Sequence, residues 1–378
     1  MISIWEKESF LAPQDVIIAG SGFAGLWSAF YLKKKAPALK ITILEKSVLP
    51  AGASTRNAGF ACFGSLSEVV DDIQTMGLDK TLQLVELRYK GLKKIEKHFG
   101  NKAIDLDWCG GYELFSGQDK YTTEKIKEDT VYLNSLLKSI TGEKATYKLA
   151  DEKIAKFHFG HTAHMVKNNF EGYLHSGKLV QALLHKIQGM GVQVLNGIAV
   201  KGFSNVSDSI EVHTDQPYTF NTSQLLLCTN ALTQAILPEP IITPARGQVL
   251  LTSPIKDLPW NGTFHYDEGF YYFRNLGDRV LLGGARNKAF DEERTTDLST
   301  SETIQKELER FLDEVILPHR KEDYEIEMRW SGIMGMGAEK MPFIKELEPN
   351  VFCALGTGGM GVALSPEMGQ QVAGLMQP

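Results

Sequence analysis

Short apolar runs alternate with amphipathic stretches along the chain. "DVIIAG" (15–20) is a β-branched run ending in glycine, the pattern of a strand buried on both faces. Residues 23–35, FAGLWSAFYLKKK, carry apolar positions at helical spacing, close on lysines and stop before Pro37. "KITILE" (40–45) predicts a second strand, so the start of the chain reads as a strand–helix–strand unit with short connections. Residues 66–100 and 121–140 read as amphipathic helices, and a further helix spans about 177–190.

Beyond that helix the period changes. Residues 191–220 predict a meander of short strands with polar turns, and "SQLLLCTNA" (223–231) a separate buried strand. From 241 to 286 the pattern alternates and is rich in aromatics, with a Gly-Asp turn inside "GFYYFRNLGDRVLLGG". A helix over about 300–316, a strand at "EIEMRWSGIMGMG" and a final strand, glycine loop and helix complete the chain. Nucleotide-fold texture recurs near 14–60, 170–235 and 330–378, with different texture between. Two interleaved domains account for this. Residues 1–85, 150–240 and 330–378 are assigned to a Rossmann-like α/β domain with a β-meander. Residues 86–149 and 241–329 are assigned to an α+β domain built on an antiparallel sheet.

The chemistry starts at Gly20-Ser21-Gly22-Phe23-Ala24-Gly25, a full G-x-G-x-x-G between strand and helix. The first glycine permits the turn, the second lets backbone approach a pyrophosphate, and the third lets helix and strand pack. The helix N-terminus adds free N–H groups and partial positive charge. Glu45 closes the next strand, where an acid accepts hydrogen bonds from the ribose hydroxyls of a dinucleotide. The motif alone does not separate NAD from FAD. Near the C-terminus, GTGGMGVALSP (356–366) offers a second glycine loop and helix start. A second positive helix end suits a flavin, whose N1–C2=O edge becomes anionic on reduction.

Composition narrows the classes. The chain has 378 residues, 43% hydrophobic, with a formal net charge of −6, which provides no basic field for nucleic acid. Cys62, Cys109, Cys228 and Cys353 are widely spaced, arguing against a disulfide framework or zinc site and suiting a reducing cytoplasm. The first residues lack a signal-peptide core, and no apolar run reaches the roughly 18 residues of a membrane span. The expectation is a soluble cytoplasmic protein. His158, His161 and His164 lack an accompanying acid or cysteine, so no metal is expected.

Taken in order, GSGFAG, LEK, GASTRNAG, LLLCTNALT, RGQ and GTGGMGVALSPEMGQ resemble the D-amino-acid oxidase superfamily of FAD-dependent oxidoreductases. Glycine and sarcosine oxidases belong to it. The likeness is closest to the gamma-glutamylputrescine oxidase type, which has a similar G-A-S-x-R-N-x-G segment. The resemblance covers nearly the whole chain and implies FAD bound non-covalently, since no cysteine occurs between 229 and 352. It implies that Lys46, Ala53, Ser54, Thr55, Arg56, Asn57, Ala58 and Gly59 line the cofactor. Val200 would hold the adenine through its backbone, and Thr229, Asn230 and Ala231 would close over the dinucleotide. Gly359, Met360, Gly361, Val362 and Ala363 would face the isoalloxazine.

The implied reaction is oxidation of a C–N bond of an amine or amino acid by hydride transfer to flavin, followed by imine hydrolysis, with oxygen or another electron acceptor. No protein acid or base is required, so none is assigned. Both carboxylate clamps of the relatives are missing: Ile333 and Met334 stand where one arginine is expected, and Ala363 where a lysine is expected. Substrate contacts are expected from Arg56 and from the aromatic region: His265, Tyr266, Tyr271, Tyr272, Arg274 and Arg286. Two other readings stay open: an FAD-dependent 2-hydroxy-acid dehydrogenase and a non-catalytic flavin-binding protein.

Overall fold

A computed structural model describes residues 1–117, 121–237 and 241–376. By its internal contacts the chain forms two compact units. The first comprises Met1–Thr55, Ser176–Ala245 and residues from Met334 onward; the second comprises Arg56–His175 and Arg246–Ile333. Residues 56–85 and 150–175, expected in the nucleotide domain, thus belong to the second unit, and the expected boundary at 240 lies outside the described residues. Pairing explains the difference. Phe60–Ala61 pairs with Gly172–Tyr173, and His164–Asn168 pairs with both Gly111–Phe115 and Tyr147–Leu149.

The first unit is built on an eight-stranded sheet. Its main path runs Phe343–Glu348, Val351–Leu355, Phe220–Leu227, Gln14–Ala19, Ile41–Glu45, Gln193–Asn196. All neighbours on this path are parallel except the Phe343–Glu348 edge strand. The meander is Val200–Val206, Ser209–Thr214 and Phe220–Leu227. Its last strand continues directly into the central sheet, where the sequence pattern suggested two strands. The reason lies in the burial pattern: Phe220–Leu227 alternates at its start and is continuously buried at its end. The helix Phe23–Lys35 follows the Gln14–Ala19 strand, and Gly361–Leu375 follows Val351–Leu355. These two helices pack closely because Gly369 lacks a side chain; a Cβ there would sit 2.5 Å from the Trp27 backbone.

The second unit carries another eight-stranded sheet. Its order is Ile326–Met336, Thr243–Thr252, Arg279–Gly284, Tyr271–Leu276, Thr263–Tyr266, Gly111–Phe115, His164–Asn168, Tyr147–Leu149. It is mixed rather than purely antiparallel, because Thr263–Tyr266 and Gly111–Phe115 run parallel. These two strands are distant in sequence, so no hairpin forces them antiparallel. One face is a fully apolar core: Phe264, Phe273, Tyr271, Leu250 and Leu282 pack with Phe311 and Leu312 from the helical stretch after Glu302. Phe264 and Phe273 stack at 4.7 Å across paired strands.

Candidate active site

In the first unit the glycine loop has the geometry that the motif demands. Gly20 has φ +101°, and a Cβ there would lie 2.9 Å from the Cys228 carbonyl oxygen. A Cβ on Gly25 would lie 2.1 Å from the Gly20 oxygen, so this crossing of helix and strand requires glycine. Gly22 is the helix N-cap and supplies no side-chain cap, so apart from the Phe23 N–H the first turn is left open to a ligand. Phe23 N–H donates to Ser54 Oγ at 2.9 Å, which draws the Ala53–Arg56 turn beneath the loop's end. Ala24 is half-buried in the first turn. Glu45 is buried and holds the loop itself: its carboxylate accepts from Ser21 N–H (3.0 Å) and Ser21 Oγ (2.8 Å), and from Ser47 N–H (3.0 Å). A carboxylate has lone-pair capacity beyond these bonds, so the arrangement leaves room for a ribose hydroxyl.

The C-terminal loop repeats the design. Gly358 and Gly359 adopt positive φ (+52° and +85°), and Met360 caps the Gly361–Leu375 helix without a side-chain bond. Val362 and Ala363 are buried. Asn230, at φ +46°, accepts from Gly356 N–H at 3.1 Å, fastening the turn after the meander to the start of this loop. Thr229 pairs its hydroxyl with Thr233 at 2.7 Å, and Ala231 is buried. Val200 begins its strand half-buried, opposite Thr214. Lys46 is exposed, and Thr55 is exposed with its hydroxyl closing its own turn onto Pro50 O at 2.6 Å. Two uncapped helix starts at the carboxyl ends of parallel strands are what a molecule with a pyrophosphate and an electron-rich ring edge requires. These residues fit FAD.

In the second unit, Arg56 is braced. Its guanidinium donates to Ser331 O at 3.0 Å, and its carbonyl accepts from Trp330 Nε1 at 3.0 Å. Asn57 Oδ1 accepts from Gly59 N–H at 2.8 Å. Gly59 has φ +72°, with Leu174 O where a Cβ would be. Ala58 packs with Val249, Leu251 and Leu281, against Phe60, Tyr272 and Trp330.

That cluster marks the sheet face opposite the apolar core. Alternation puts His265 and Tyr272, which are register partners, on it together. Both rings meet Phe60 edge-on, at 5.2 and 5.9 Å. Tyr272 lies across Gly283, where a Cβ would stand 2.5 Å from the ring. His265 is buried and its Nε2 has no hydrogen-bond partner among the described residues. Burial lowers its pKa to about 4, so it is neutral near pH 7. Burial likewise raises the Tyr272 phenol to about 12.

Three expected substrate contacts do not join this group. Tyr271 and Tyr266 point to the other face, as neighbours on a strand must. Tyr271 stacks on Phe311 at 4.4 Å and donates to Glu307 at 2.5 Å; Tyr266 meets Phe311 at 5.0 Å. Arg274 lies on the His265 face, but as a brace. It donates to the carbonyls of Gly59 (3.4 Å) and Leu174 (3.3 Å) and stacks on Tyr173 at 4.4 Å, and burial lowers its pKa to about 10. A cavity of about 690 Å³ lies on the helix side, lined by Tyr266, Tyr271, Arg310 and Phe311 among others, and its Arg310 bonds Glu307 and Glu314.

Several supporting residues escaped sequence reasoning. Glu171 accepts from Phe63 N–H (2.8 Å) and Gly64 N–H (3.0 Å), Arg88 donates to Phe63 O (3.1 Å), and Tyr147 donates to Gly64 O (2.7 Å). Glu113 accepts from Ser67 N–H at 2.9 Å and from the Ser65 and Ser67 hydroxyls. Together they clamp the segment that follows GASTRNAGF. Burial raises the pKa of Glu113 to about 7 and that of Glu171 to about 8. The usable signal was a lone acid inside the apolar strand "GYELF". Likewise Arg246 and Gln248 of RGQ serve a buried ion pair: Arg246 forks onto Glu293 (3.0 and 2.7 Å), and Gln248 also donates to it.

The chain is 24% identical over 375 residues to a probable oxidoreductase, OrdL, of Haemophilus influenzae, covering 95% of this chain and 82% of that one. It is 25% identical over 381 residues to gamma-glutamylputrescine oxidoreductase of Escherichia coli, covering 96% and 83%. Its fold superposes on L-proline dehydrogenase from P. horikoshii with a TM-score of 0.76 at 20% identity, covering 96% and 93%. The model of the FAD dependent oxidoreductase family matches residues 15–375, and the chain belongs to that family.

Proposed function

We propose that this oxidoreductase oxidises the C–N bond of a small amine or amino acid, and that the His265–Tyr272 face receives the substrate. FAD, when bound, supplies the two-electron acceptor for a hydride from the carbon bearing nitrogen. The first unit's open helix starts and the Glu45-held loop would hold it. The observation that carries the substrate reading is the aromatic face of His265, Tyr272 and Phe60, where a buried, neutral imidazole has no hydrogen-bond partner for Nε2 among the described residues. A buried polar atom without a partner is costly unless a ligand completes it.

The aromatic lining excludes water, and a neutral imidazole adds no charge that would repel an amine or its cation. The substrate must present its nitrogen neutral, because the lone pair forms the C=N bond as the hydride leaves. The N–H proton passes to solvent, and water then converts the imine to carbonyl and released amine. Names of relatives support the class: an E. coli relative is a gamma-glutamylputrescine oxidoreductase, and similar folds include L-proline dehydrogenase and glycine oxidases.

The test is an anaerobic screen of the purified flavoprotein against amines, amino acids and 2-hydroxy acids. Bleaching of the flavin bands by a member of the first two groups, with release of the carbonyl product, is expected. Bleaching by hydroxy acids alone would replace this reading with C–O oxidation. No bleaching by any of them would make the protein a flavin carrier.

A further inference from the structure

We propose that the cavity at the strand ends of the second unit's sheet binds an organic cation, an alkylammonium compound with an apolar body, at a place separate from the His265–Tyr272 face. The cavity is built entirely from residues of the second unit, and it stands independently of which substrate reduces the flavin.

Gly111–Phe115 and Thr263–Tyr266 run parallel, so both strands finish at the same edge of the sheet. Side chains alternate between faces along each strand. Glu113, the register partner of His265, leaves on that side, while Tyr266 turns to the helical layer and Phe311. The cavity of about 690 Å³ reaches around this edge and takes lining residues from both sides. That volume is in the range of small-molecule sites. Its apolar walls are two groups of rings. Phe115 meets Tyr121 at 5.2 Å, and Tyr266 and Tyr271 meet Phe311 at 5.0 and 4.4 Å. Ring faces attract a cation, most strongly one held out of water.

The charges choose the sign of the ligand. Glu113, Asp267, Glu268 and Glu314 line the cavity against Lys288 and Arg310. Arg310 is committed to Glu307 and Glu314, so the other three carboxyl groups face only the exposed Lys288. Glu113 is 3% exposed, accepts only from the neutral donors of Ser65 and Ser67, and makes no ion pair among the described residues. A cation in the cavity supplies the counterion that a buried carboxylate otherwise lacks. Asp267 follows Tyr266 on the hairpin turn at φ +53°, where it is exposed and accepts from Asn287 through one oxygen at 2.8 Å. An anion would meet this excess of carboxyl groups, and a neutral ligand would leave Glu113 unpaired. Among the described residues no three His, Cys, Asp or Glu side chains are gathered as a metal ion requires, so the acids are spread for a larger cation.

The experiment uses the flavin-loaded enzyme and benzyltrimethylammonium, whose quaternary nitrogen has no lone pair and cannot enter C–N oxidation. Benzyl alcohol is the neutral match, and binding is read by titration calorimetry. Wild type is expected to bind the cation about tenfold more tightly than the alcohol. Combining Asp267→Asn with Glu268→Gln is expected to weaken the cation about tenfold and to leave the alcohol unchanged. Glu113→Gln is expected to have the same effect from the other side of the cavity. Tyr272→Phe leaves both affinities as in wild type, because Tyr272 lies on the substrate face. A cation that does not bind wild type, or binds no better than benzyl alcohol, overturns the proposal. So does a double variant that binds the cation as tightly as wild type. Loss of the cation in Tyr272→Phe also overturns it, by placing the probe on the substrate face. If Glu113→Gln does not fold, the double variant on the hairpin turn decides.

Discussion

The two faces of the second unit's sheet are made by alternate residues of the same strands, yet they are finished differently. On one face Phe264, Phe273 and Tyr271 close against the helical layer, and the Tyr271 hydroxyl has its acceptor in Glu307. On the other, His265 Nε2 and the Tyr272 hydroxyl have no hydrogen-bond partner among the described residues. A folding core tolerates few unsatisfied polar groups, and their presence on the open face is what motivates the proposal that the substrate binds there. Composition does not separate these faces, for both are aromatic, and the closed face also holds one donor, Trp260 Nε1, without a partner among the described residues; the open face differs in leaving a histidine and a tyrosine in that state.

Breaking the closed face should give the largest stability effect. Phe264→Ala removes a fully buried ring from a stacked cluster and should cost about 3–5 kcal/mol, read by denaturant unfolding. The rate of flavin reduction in the folded fraction should stay near wild type. Gly283→Ala attacks the open face from beneath. Its Cβ would enter the Tyr272 ring, costing about 1–3 kcal/mol and slowing flavin reduction, because the phenol must move. Normal kinetics in Gly283→Ala would separate Tyr272 from the substrate.

The glutamate clamp responds to pH. Glu113 and Glu171 have folded pKa values raised to about 7 and about 8 from 4.5, so the folded state holds protons that the unfolded state releases. Their contribution is fully present below about 4.5 and is lost as pH rises through 7 to 8. His265 acts in the opposite sense: its pKa falls from 6.5 to about 4, so its contribution is lost as pH drops across that window. Glu113→Gln should therefore flatten part of the stability loss between about pH 5 and pH 8, measured by denaturant midpoints across that range. An unchanged slope would mean that Glu113 is ionised in the folded state.

The nucleotide loop was legible because its chemistry is local. Gly20, Gly22 and Gly25 are fixed by turn and crossing geometry within six residues, and Glu45 by the length of one helix and strand. The C-terminal loop was legible for the same reason. The substrate side was not, since alternation tells which residues share a face but not which face is covered. Hence Tyr271 and Tyr272 were expected together, although only Tyr272 lies beside Phe60. Arg274 resembled an anchor in sequence because nothing there shows that the carbonyls of Gly59 and Leu174 would claim it. The clamp of Glu113, Glu171, Arg88 and Tyr147 joins residues dozens of positions apart, and no spacing rule reaches that far.

The adjacent tyrosines give the most direct measurement. Tyr271→Phe and Tyr272→Phe each remove one hydroxyl from neighbouring residues on opposite faces, and each variant can be assayed for unfolding free energy and for anaerobic flavin reduction. Tyr271→Phe should lose about 0.5–1.5 kcal/mol, the value of its bond to Glu307, and reduce its flavin as wild type does. Tyr272→Phe should keep its stability within about 0.5 kcal/mol, because its hydroxyl has no hydrogen-bond partner among the described residues, and should be reduced more slowly or at higher substrate concentration. The reverse pattern, kinetic loss in Tyr271→Phe with none in Tyr272→Phe, would contradict the assignment of the open face as the substrate site.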